Sequence, residues 1–285
     1  MKHLQNNLRN DFITDHETAY SSLEIQYEHD IGLAWYFMNA KPRPCFTLPL
    51  IAEIQQWLEH TEANLATNDV RYIVMGSAAP GVFNLGGDLN LFVEMIRKQD
   101  HHGLLHYATA CINALHLIHT GLNRNVTSIS LVEGDALGGG LEVAISSDVL
   151  IAERGVKMGF PEILFNLFPG MGAYSFLSRK IGPVEAERMI LSGRIYSAEE
   201  LHAIGLVDIL AEPGTGREAV YEYAAREDRA RNGYQAFRRA KMHCNPVSHA
   251  ELMRITTIWA EAAAQISDRD LRMMERLVAR QNARV

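Results

Sequence analysis

The amino-acid sequence predicts a mixed α/β fold followed by a helical C-terminal region. Over the first two thirds of the chain, short apolar runs and amphipathic stretches recur in the order strand, strand, helix. Beyond about residue 215, only helical periodicity remains. With 285 residues, 47% of them hydrophobic, the chain can bury a large core and has the composition of a globular protein.

Charge and cysteine content argue against several functional classes. A net charge of −7 and a pI near 5.9 give no basic surface for nucleic acid or anionic membranes. Cys45, Cys111 and Cys244 are too scattered for a disulfide framework or a metal site, and they indicate a reducing compartment. The sequence shows neither a signal peptide nor an apolar run of roughly 18–20 residues. We therefore expect a cytoplasmic protein.

The first strands are predicted to form a hairpin. Residues 1–20 are polar and without period, which favours an N-terminal arm. Alternation at Leu23, Ile25 and Tyr27 predicts a half-buried strand, and residues 31–38 predict a more buried partner. After a loop with two prolines, a helix is predicted by the apolar positions Leu50, Ile51, Ile54, Trp57 and Leu58.

The middle of the chain repeats the strand and helix pattern. Its predicted elements are a strand at 72–75, a loop at 76–89, helices at 91–98 and 104–122, a strand at 127–132, a helix opened by Gly138–Gly140, a strand at 149–152 and an extended segment at 158–162. From Gly172 onward the pattern is helical, with a capping box at Ser197 and Glu200. A short strand at 207–210 precedes the last helices, which are broken at 245–246 and 267–268.

Two glycine-rich loops are candidates for binding negative charge. Gly138, Gly139 and Gly140 follow a predicted strand and open a helix, where backbone amides favour an anion. Such fixed donors can form an oxyanion site, although a turn used only for packing is an equal alternative. The loop at 83–89 has a similar pattern, and Asp88 is placed to cap the helix after it. A plain capped loop is the alternative there.

Glu142 and Glu162 are the candidate catalytic carboxylates. Glu142 lies one turn into the glycine-led helix, and Glu162 follows a proline among apolar residues. Desolvation raises the pKa of a carboxyl group, and two such groups can serve as acid and base. Solvated or arginine-paired glutamates are the alternative. His116 and His119 lie three residues apart without further ligands, so a metal site is disfavoured, and no nucleotide motif is present.

Together these segments resemble the crotonase (enoyl-CoA hydratase/isomerase) superfamily. The matching segments, in family order between about residues 22 and 210, are 83–89, 134–142, 160–162 with 168–172, and 191–194 with 203–207. The resemblance implies a crotonase-like spiral of ββα turns and a C-terminal helical region that helps to assemble a homotrimer or hexamer. It divides the chain into an arm at 1–20, a spiral core at 21–212 and a helical trimerisation region at 213–285.

The resemblance also implies a set of site residues and no cofactor. The amides of Gly87 and Gly139 would hold the thioester carbonyl of the substrate, and Glu142 and Glu162 would add or remove water across C2–C3. We expect Glu162 to remove the C2 proton while Glu142 protonates the departing hydroxyl. A tunnel for the acyl chain is expected from Leu137, Met171 and Trp259, for which plain core packing is the alternative.

A narrower resemblance is to the bacterial diffusible-signal-factor synthases. It depends on the unusual segment at 39–47, the unusual N-terminal arm, the long C-terminal helices and residues 160–171. That branch converts 3-hydroxyacyl thioesters on acyl carrier protein into free cis-2-unsaturated fatty acids, by dehydration and then thioester hydrolysis. A regulatory sensor kinase is then an expected partner. An ordinary enoyl-CoA hydratase, which acts on CoA thioesters, and a non-enzymatic protein that binds acyl thioesters stay open as alternatives.

Overall fold

The computed structural model describes residues 20–282, so the predicted arm lies outside the described residues except for Tyr20. The strands are β1 (Leu23–Glu28), β2 (Leu33–Met38), β3 (Tyr72–Ser77), β4 (Val82–Asn84), β5 (Thr127–Val132), β6 (Asp135–Leu137), β7 (Val149–Glu153), β8 (Lys157–Gly159), β9 (Ile195–Ser197) and β10 (Ile209–Ala211).

Twelve α-helices and two 3-10 turns are found in the described residues. The helices are α1 (Leu48–Ala63), α2 (Leu65–Asn68), α3 (Leu89–Arg97), α4 (His101–His119), α5 (Gly139–Ser146), α6 (Ala173–Ile181), α7 (Pro183–Ser192), α8 (Ala198–Ala203), α9 (Gly216–Arg229), α10 (Arg231–Cys244), α11 (His249–Ala263) and α12 (Asp268–Asn282). The 3-10 turns are His29–Ile31 and Glu162–Phe165.

The larger sheet has six strands in the order β1-β2-β3-β5-β7-β10. Strands β1 and β2 form the predicted antiparallel hairpin, with Leu23 opposite Met38. All other pairs are parallel, and Val74 of β3 lies opposite Ile129 of β5. Parallel strands are buried on both faces, which accounts for their continuous apolar runs.

The smaller sheet has the order β4-β6-β8-β9 and determines where the site forms. Successive ββα turns contribute β3, β5 and β7 to the larger sheet and β4, β6 and β8 to the smaller one, which is the spiral implied by the resemblance. Strand β9 pairs with β8 in the antiparallel direction, whereas β4, β6 and β8 run parallel to one another. Their carboxyl ends therefore meet at one edge, and each is followed by a segment with candidate site residues.

Several predicted boundaries were wrong in detail. Strands β4, β6 and β9 are three residues long and lie in segments predicted as loop, turn or helix, because so short a strand shows no alternation. Strand β8 ends at Gly159, so Glu162 begins a 3-10 turn rather than ending an extended segment. The last strand begins at Ile209, and an additional break at Ala230 separates α9 from α10.

The core has two layers on opposite faces of the larger sheet. Leu33, Trp35 and Phe37 of β2 point toward α9, whereas the alternate residues of β2 point toward α1 and α4. The predicted face of α1 is buried, and the capping box at Ser197 and Glu200 is confirmed. Helix α11 packs on α4, and α12 packs on α3 and the second 3-10 turn.

In the described part of the chain, no helix has the length and apolar character needed to cross a membrane.

Candidate active site

Three segments converge at the carboxyl edge of the smaller sheet. The loop after β4 carries Gly87, the loop after β6 carries Gly139, and the 3-10 turn after β8 begins with Glu162. Glu142, in the first turn of α5, lies beside them. The parallel pairing thus brings together residues that are as many as 75 positions apart in the sequence.

The amides of Gly87 and Gly139 are two unpaired donors at one point. Neighbouring amides are occupied, since Gly86 N donates to Asn84 Oδ1 and Gly138 N donates to Gly159 O, each over 2.8 Å. Within residues 20–282, neither Gly87 N nor Gly139 N has a hydrogen-bond acceptor. A Cβ on Gly139 would lie only 3.6 Å from Gly87 N. This pair can hold a carbonyl oxygen on which negative charge develops.

The close approach of the two loops requires glycine at position 86. Gly86 has a φ of +90°, and a Cβ there would lie 2.9 Å from both Gly139 N and Leu137 O. Any side chain would therefore separate the Gly87 amide from the Gly139 amide.

A buried ion pair supports the loop that carries Gly87. Arg43 Nη2 lies 2.7 Å from Asp88 Oδ1, and the Arg43 side chain is 9% exposed. The same Asp88 oxygen accepts hydrogen bonds from Asn90 N and Leu91 N, so the predicted cap of α3 is confirmed. Arg43 was not identified from the sequence, because its segment has no secondary-structure period and lies 45 positions from Asp88.

Glu142 is fully enclosed and held by backbone donors. Its Oε1 accepts hydrogen bonds from Met171 N over 2.7 Å and from Ala173 N over 3.0 Å. Burial raises the pKa of Glu142 to about 7, and the two N–H donors oppose that rise because they stabilise the carboxylate.

Glu162 lies against Gly138, at the entrance of α5. A Cβ on Gly138 would overlap Glu162 Oε1, and Glu162 Oε2 is buried without a hydrogen-bond partner in the described chain. Burial, followed by the nearby Glu142 carboxyl, raises the pKa of Glu162 to about 8. Neither glutamate is ion-paired to a described residue, which argues against the arginine-paired alternative. The hydrogen bonds favour the proton on Glu162 and the charge on Glu142.

Both glutamates and both free amides open into one cavity of about 320 Å³. All three predicted tunnel residues, Leu137, Met171 and Trp259, contribute to its lining. The Met171 methyl group lies over Gly139, and the Trp259 indole packs on Gly170. Thr256 Oγ1 donates to Gly170 O over 3.0 Å and so fixes α11 beside the cavity.

Several lining residues were missed by the sequence reasoning. They come mainly from α3, α4, the second 3-10 turn and α12, and they are Leu89, Phe92, Tyr107, Leu164, Phe165 and Leu277. Apolar periodicity marked some of them as buried but could not show which cavity they face. Among the described lining residues, carboxyl groups belong to Glu142 and Glu162, and no lysine or arginine is present. The site is an apolar cavity with two carboxyl groups and two free amides.

The two histidines considered from the sequence lie elsewhere. His119 Nδ1 contacts Ser146 O over 3.2 Å, and the His116 ring packs edge-on against His249. Neither lines the cavity. They are half-buried histidines of α4.

The chain is similar to known proteins in family, sequence and structure. Residues 36–256 match the enoyl-CoA hydratase/isomerase family. The chain is 33% identical over 206 residues to the mitochondrial methylglutaconyl-CoA hydratase of Rattus norvegicus, covering 70% of this chain and 62% of that protein. It is also 33% identical over 159 residues to a probable mitochondrial enoyl-CoA hydratase 2 of Arabidopsis thaliana, covering 55% of this chain and 50% of that protein. The chain thus spans roughly half to three fifths of these relatives.

Solved structures share the fold over nearly the whole chain. An enoyl-CoA hydratase from Geobacillus kaustophilus aligns with a TM-score of 0.71 at 22% identity, covering 92% of this chain and 96% of that one. Pseudomonas aeruginosa DspI aligns with a TM-score of 0.61 at 25% identity, covering 96% of this chain and 99% of that one. The first of these likenesses concerns the fold alone.

Proposed function

The chain belongs to the enoyl-CoA hydratase/isomerase family, and from this premise we propose that it dehydrates a 3-hydroxyacyl thioester and then hydrolyses the thioester. The product is a free 2-unsaturated fatty acid, as in the diffusible-signal-factor synthases. One observation carries the proposal: two buried carboxyl groups and two unpaired amides share an apolar cavity.

The first step removes water across C2–C3. The thioester carbonyl oxygen accepts hydrogen bonds from Gly87 N and Gly139 N, which lowers the energy of the enolate. The Glu162 carboxylate takes the C2 proton, and protonated Glu142 gives its proton to the 3-hydroxyl group, which leaves as water. The electron pair of the C2–H bond becomes the C2–C3 double bond. The step ends with the proton on Glu162 and the charge on Glu142.

The hydrogen bonds around the two glutamates support a final state with the proton on Glu162 and the charge on Glu142. Met171 N and Ala173 N stabilise charge on Glu142, whereas Glu162 Oε2 is buried without a described partner. The final arrangement of the dehydration is therefore the preferred one. The same arrangement is the starting point for hydration, in which Glu142 would activate water and Glu162 would protonate C2.

The second step cleaves the thioester. The Glu142 carboxylate removes a proton from a water molecule while the oxygen of that water attacks C1 of the thioester. The amides of Gly87 and Gly139 hold the tetrahedral oxyanion that forms. The C–S bond then breaks, Glu142 returns the proton to the departing thiol, and the free acid forms. We propose acyl carrier protein as the thiol, with CoA as the alternative carrier. The apolar lining accepts an acyl chain, and its described residues include no cation for a charged carrier, which stays outside the cavity.

We further propose that residues 213–285 assemble the chain into a trimer or hexamer beside the spiral core of residues 21–212. Helix α10 supports this, because none of its residues is buried and Phe237 is 73% exposed within one chain. Sedimentation velocity of the full chain would report the assembly, and a purely monomeric species would contradict it.

An ordinary reversible hydratase is the second candidate. The hydratases of Rattus norvegicus and Arabidopsis thaliana are its support, and it needs every step except hydrolysis. The test supplies 3-hydroxyacyl thioesters on carrier protein and on CoA and follows products by mass spectrometry. Free 2-unsaturated acid is the expected product. Enoyl thioester that interconverts with substrate, without free acid, would support the hydratase, and a folded protein without turnover would overturn both.

A further inference from the structure

A second apolar space lies directly behind the catalytic cavity. It is a void of about 20 Å³ in the core between α1, α4 and α5. Its walls are apolar side chains, among them Ile51, Ile54, Ala114 and Leu115. Of the described residues, Met171 alone lines both this void and the catalytic cavity. The Met171 side chain is therefore the wall between the two spaces.

The backbone of Met171 is fixed, while its side chain can move. Its N–H group donates to Glu142 Oε1, and the preceding carbonyl accepts from Thr256 Oγ1. These bonds do not involve the side chain, which is unbranched and has three rotatable bonds. A rotation of the Met171 side chain can therefore join the two spaces without disturbing the hydrogen bond to Glu142.

The void is suited to hydrocarbon and not to water. Protein interiors are packed closely, and an apolar void forfeits contacts that its lining would otherwise make. Apolar voids stay dry and can take up apolar ligands. The Cys111 thiol on its wall stays neutral, because burial raises its pKa to about 12.

We propose that Met171 is a movable wall that sets acyl-chain length, and that long acyl chains displace its side chain and place their end in the void. The favoured substrates are then straight-chain 3-hydroxyacyl thioesters longer than the catalytic cavity alone can hold. This inference rests on the proposed function, because it concerns the acyl chain of the same substrate.

The test compares kcat/KM across straight-chain 3-hydroxyacyl thioesters from octanoyl to tetradecanoyl. Ala114→Leu fills the void, and we expect the ratio of long-chain to short-chain kcat/KM to fall by at least about tenfold, as for a misfitting methylene group in an apolar pocket. Leu115→Ala enlarges the void and raises the same ratio. Ala110→Leu is the matched control, because Ala110 lies on the same helix but lines neither space. Unchanged ratios in both folded void variants would overturn the inference.

A binding measurement separates this inference from the proposed function. Free fatty acids of the same lengths are titrated by calorimetry into the wild type and the two void variants. A selective loss of tetradecanoic acid binding in Ala114→Leu supports the movable wall even without turnover. Equal affinities in all variants overturn it even where free acid is produced. Should Ala114→Leu lose its cooperative thermal transition, Leu115→Ala decides, since it removes atoms and creates no clash.

Discussion

The Glu162 carboxyl group occupies the space beside the Gly138 α-carbon where any other residue would carry its Cβ. Gly138 also has a φ of +54°, which side chains rarely adopt. The proposed catalytic geometry therefore depends on the absence of a single methyl group at position 138. Strand β6 delivers that glycine to the same edge at which β8 delivers Glu162.

Gly138→Ala should displace Glu162 and lower kcat by about 10²–10⁴, the contribution of a positioned acid–base group. Gly138 combines this φ with a ψ of −126°, so the alanine should also lower the free energy of unfolding by about 1–3 kcal/mol. Gly155→Ala separates the two effects, since Gly155 has a φ of +86° and no atom lies within 4 Å of the position that its methyl group would take. That control should lose stability and keep activity. Full activity in Gly138→Ala would refute the role given to this contact.

Glu142→Gln and Glu162→Gln should each lower kcat by about 10²–10⁴, because each removes a proton carrier and keeps the side-chain shape. Turnover is measured with a 3-hydroxyacyl thioester, and circular dichroism checks the fold. Glu187→Gln, at an exposed glutamate of α7, serves as control and should behave as wild type. Near wild-type turnover in either active-site variant would disprove the mechanism.

The dependence of kcat on pH should be bell-shaped, with its maximum between about 7 and 8. The mechanism needs one proton on the pair, and the pKa values of Glu142 and Glu162 are raised to about 7 and about 8. As the pH falls below this range both glutamates become protonated, and as it rises above the range both lose their protons. The profile is measured as kcat from initial rates, in buffers of constant ionic strength that cover pH values on both sides of this maximum. An optimum near the ordinary glutamate pKa would be incompatible with two desolvated carboxyl groups.

The same shifts should make Glu162→Gln progressively more stable, relative to wild type, as the pH rises. Between the ordinary glutamate pKa of 4.5 and the raised value, the folded wild type binds more protons than the unfolded chain. Its free energy of unfolding therefore falls with rising pH in that window. The glutamine variant lacks the Glu162 contribution to this dependence and keeps that of Glu142. Urea unfolding at several pH values from about 5 to about 9 measures the difference, and a difference independent of pH would contradict the assigned burial effect.

Asp88→Asn should lower the free energy of unfolding by on the order of 3 kcal/mol, because it leaves the buried Arg43 charge without its partner. Asparagine can still cap α3, so the effect reports the ion pair. We also expect a lower kcat/KM, since Gly87 immediately precedes Asp88. The comparison is Glu275→Gln, which breaks an exposed pair with Arg97 and should change stability by less than about 1 kcal/mol. If Asp88→Asn and Glu275→Gln lowered the free energy of unfolding equally in chemical denaturation, the proposed support of the Gly87 loop by Arg43 would be contradicted.

The sequence was sufficient for the elements whose pattern is local. The hairpin, the buried face of α1 and the capping box at Ser197 follow from periods and caps that a short window contains. Strands β4, β6 and β9 were missed, because three residues carry no measurable alternation and their pairing partners lie far away in the chain. Yet these strands align the two glycine loops and the Glu162 turn.

The candidate site also has a part that local sequence motifs could predict and a part that depends on tertiary packing. The carboxylates and glycines stand in short motifs, so the resemblance could identify them, and the structure brings all of them to one cavity. Tyr107 and Leu277 line that cavity from helices separated by more than a hundred residues, and no local signal connects them. The Arg43–Asp88 pair and the void behind Met171 are also products of tertiary packing. The sequence motifs therefore predicted the glutamates and glycines, whereas the walls of the cavity could be known only from the tertiary packing.

Helix α12 supplies the most C-terminal of the described residues that line the cavity. Leu277 contributes a wall of the cavity, and α12 is held through buried Met274 and an exposed Arg97–Glu275 pair. During synthesis, this wall leaves the ribosome after every other described part of the cavity. The nascent spiral therefore presents an open apolar trough before α12 docks, a surface on which chaperones could act and where aggregation could begin. In the mature protein, local detachment of α12 would expose the same apolar surface again.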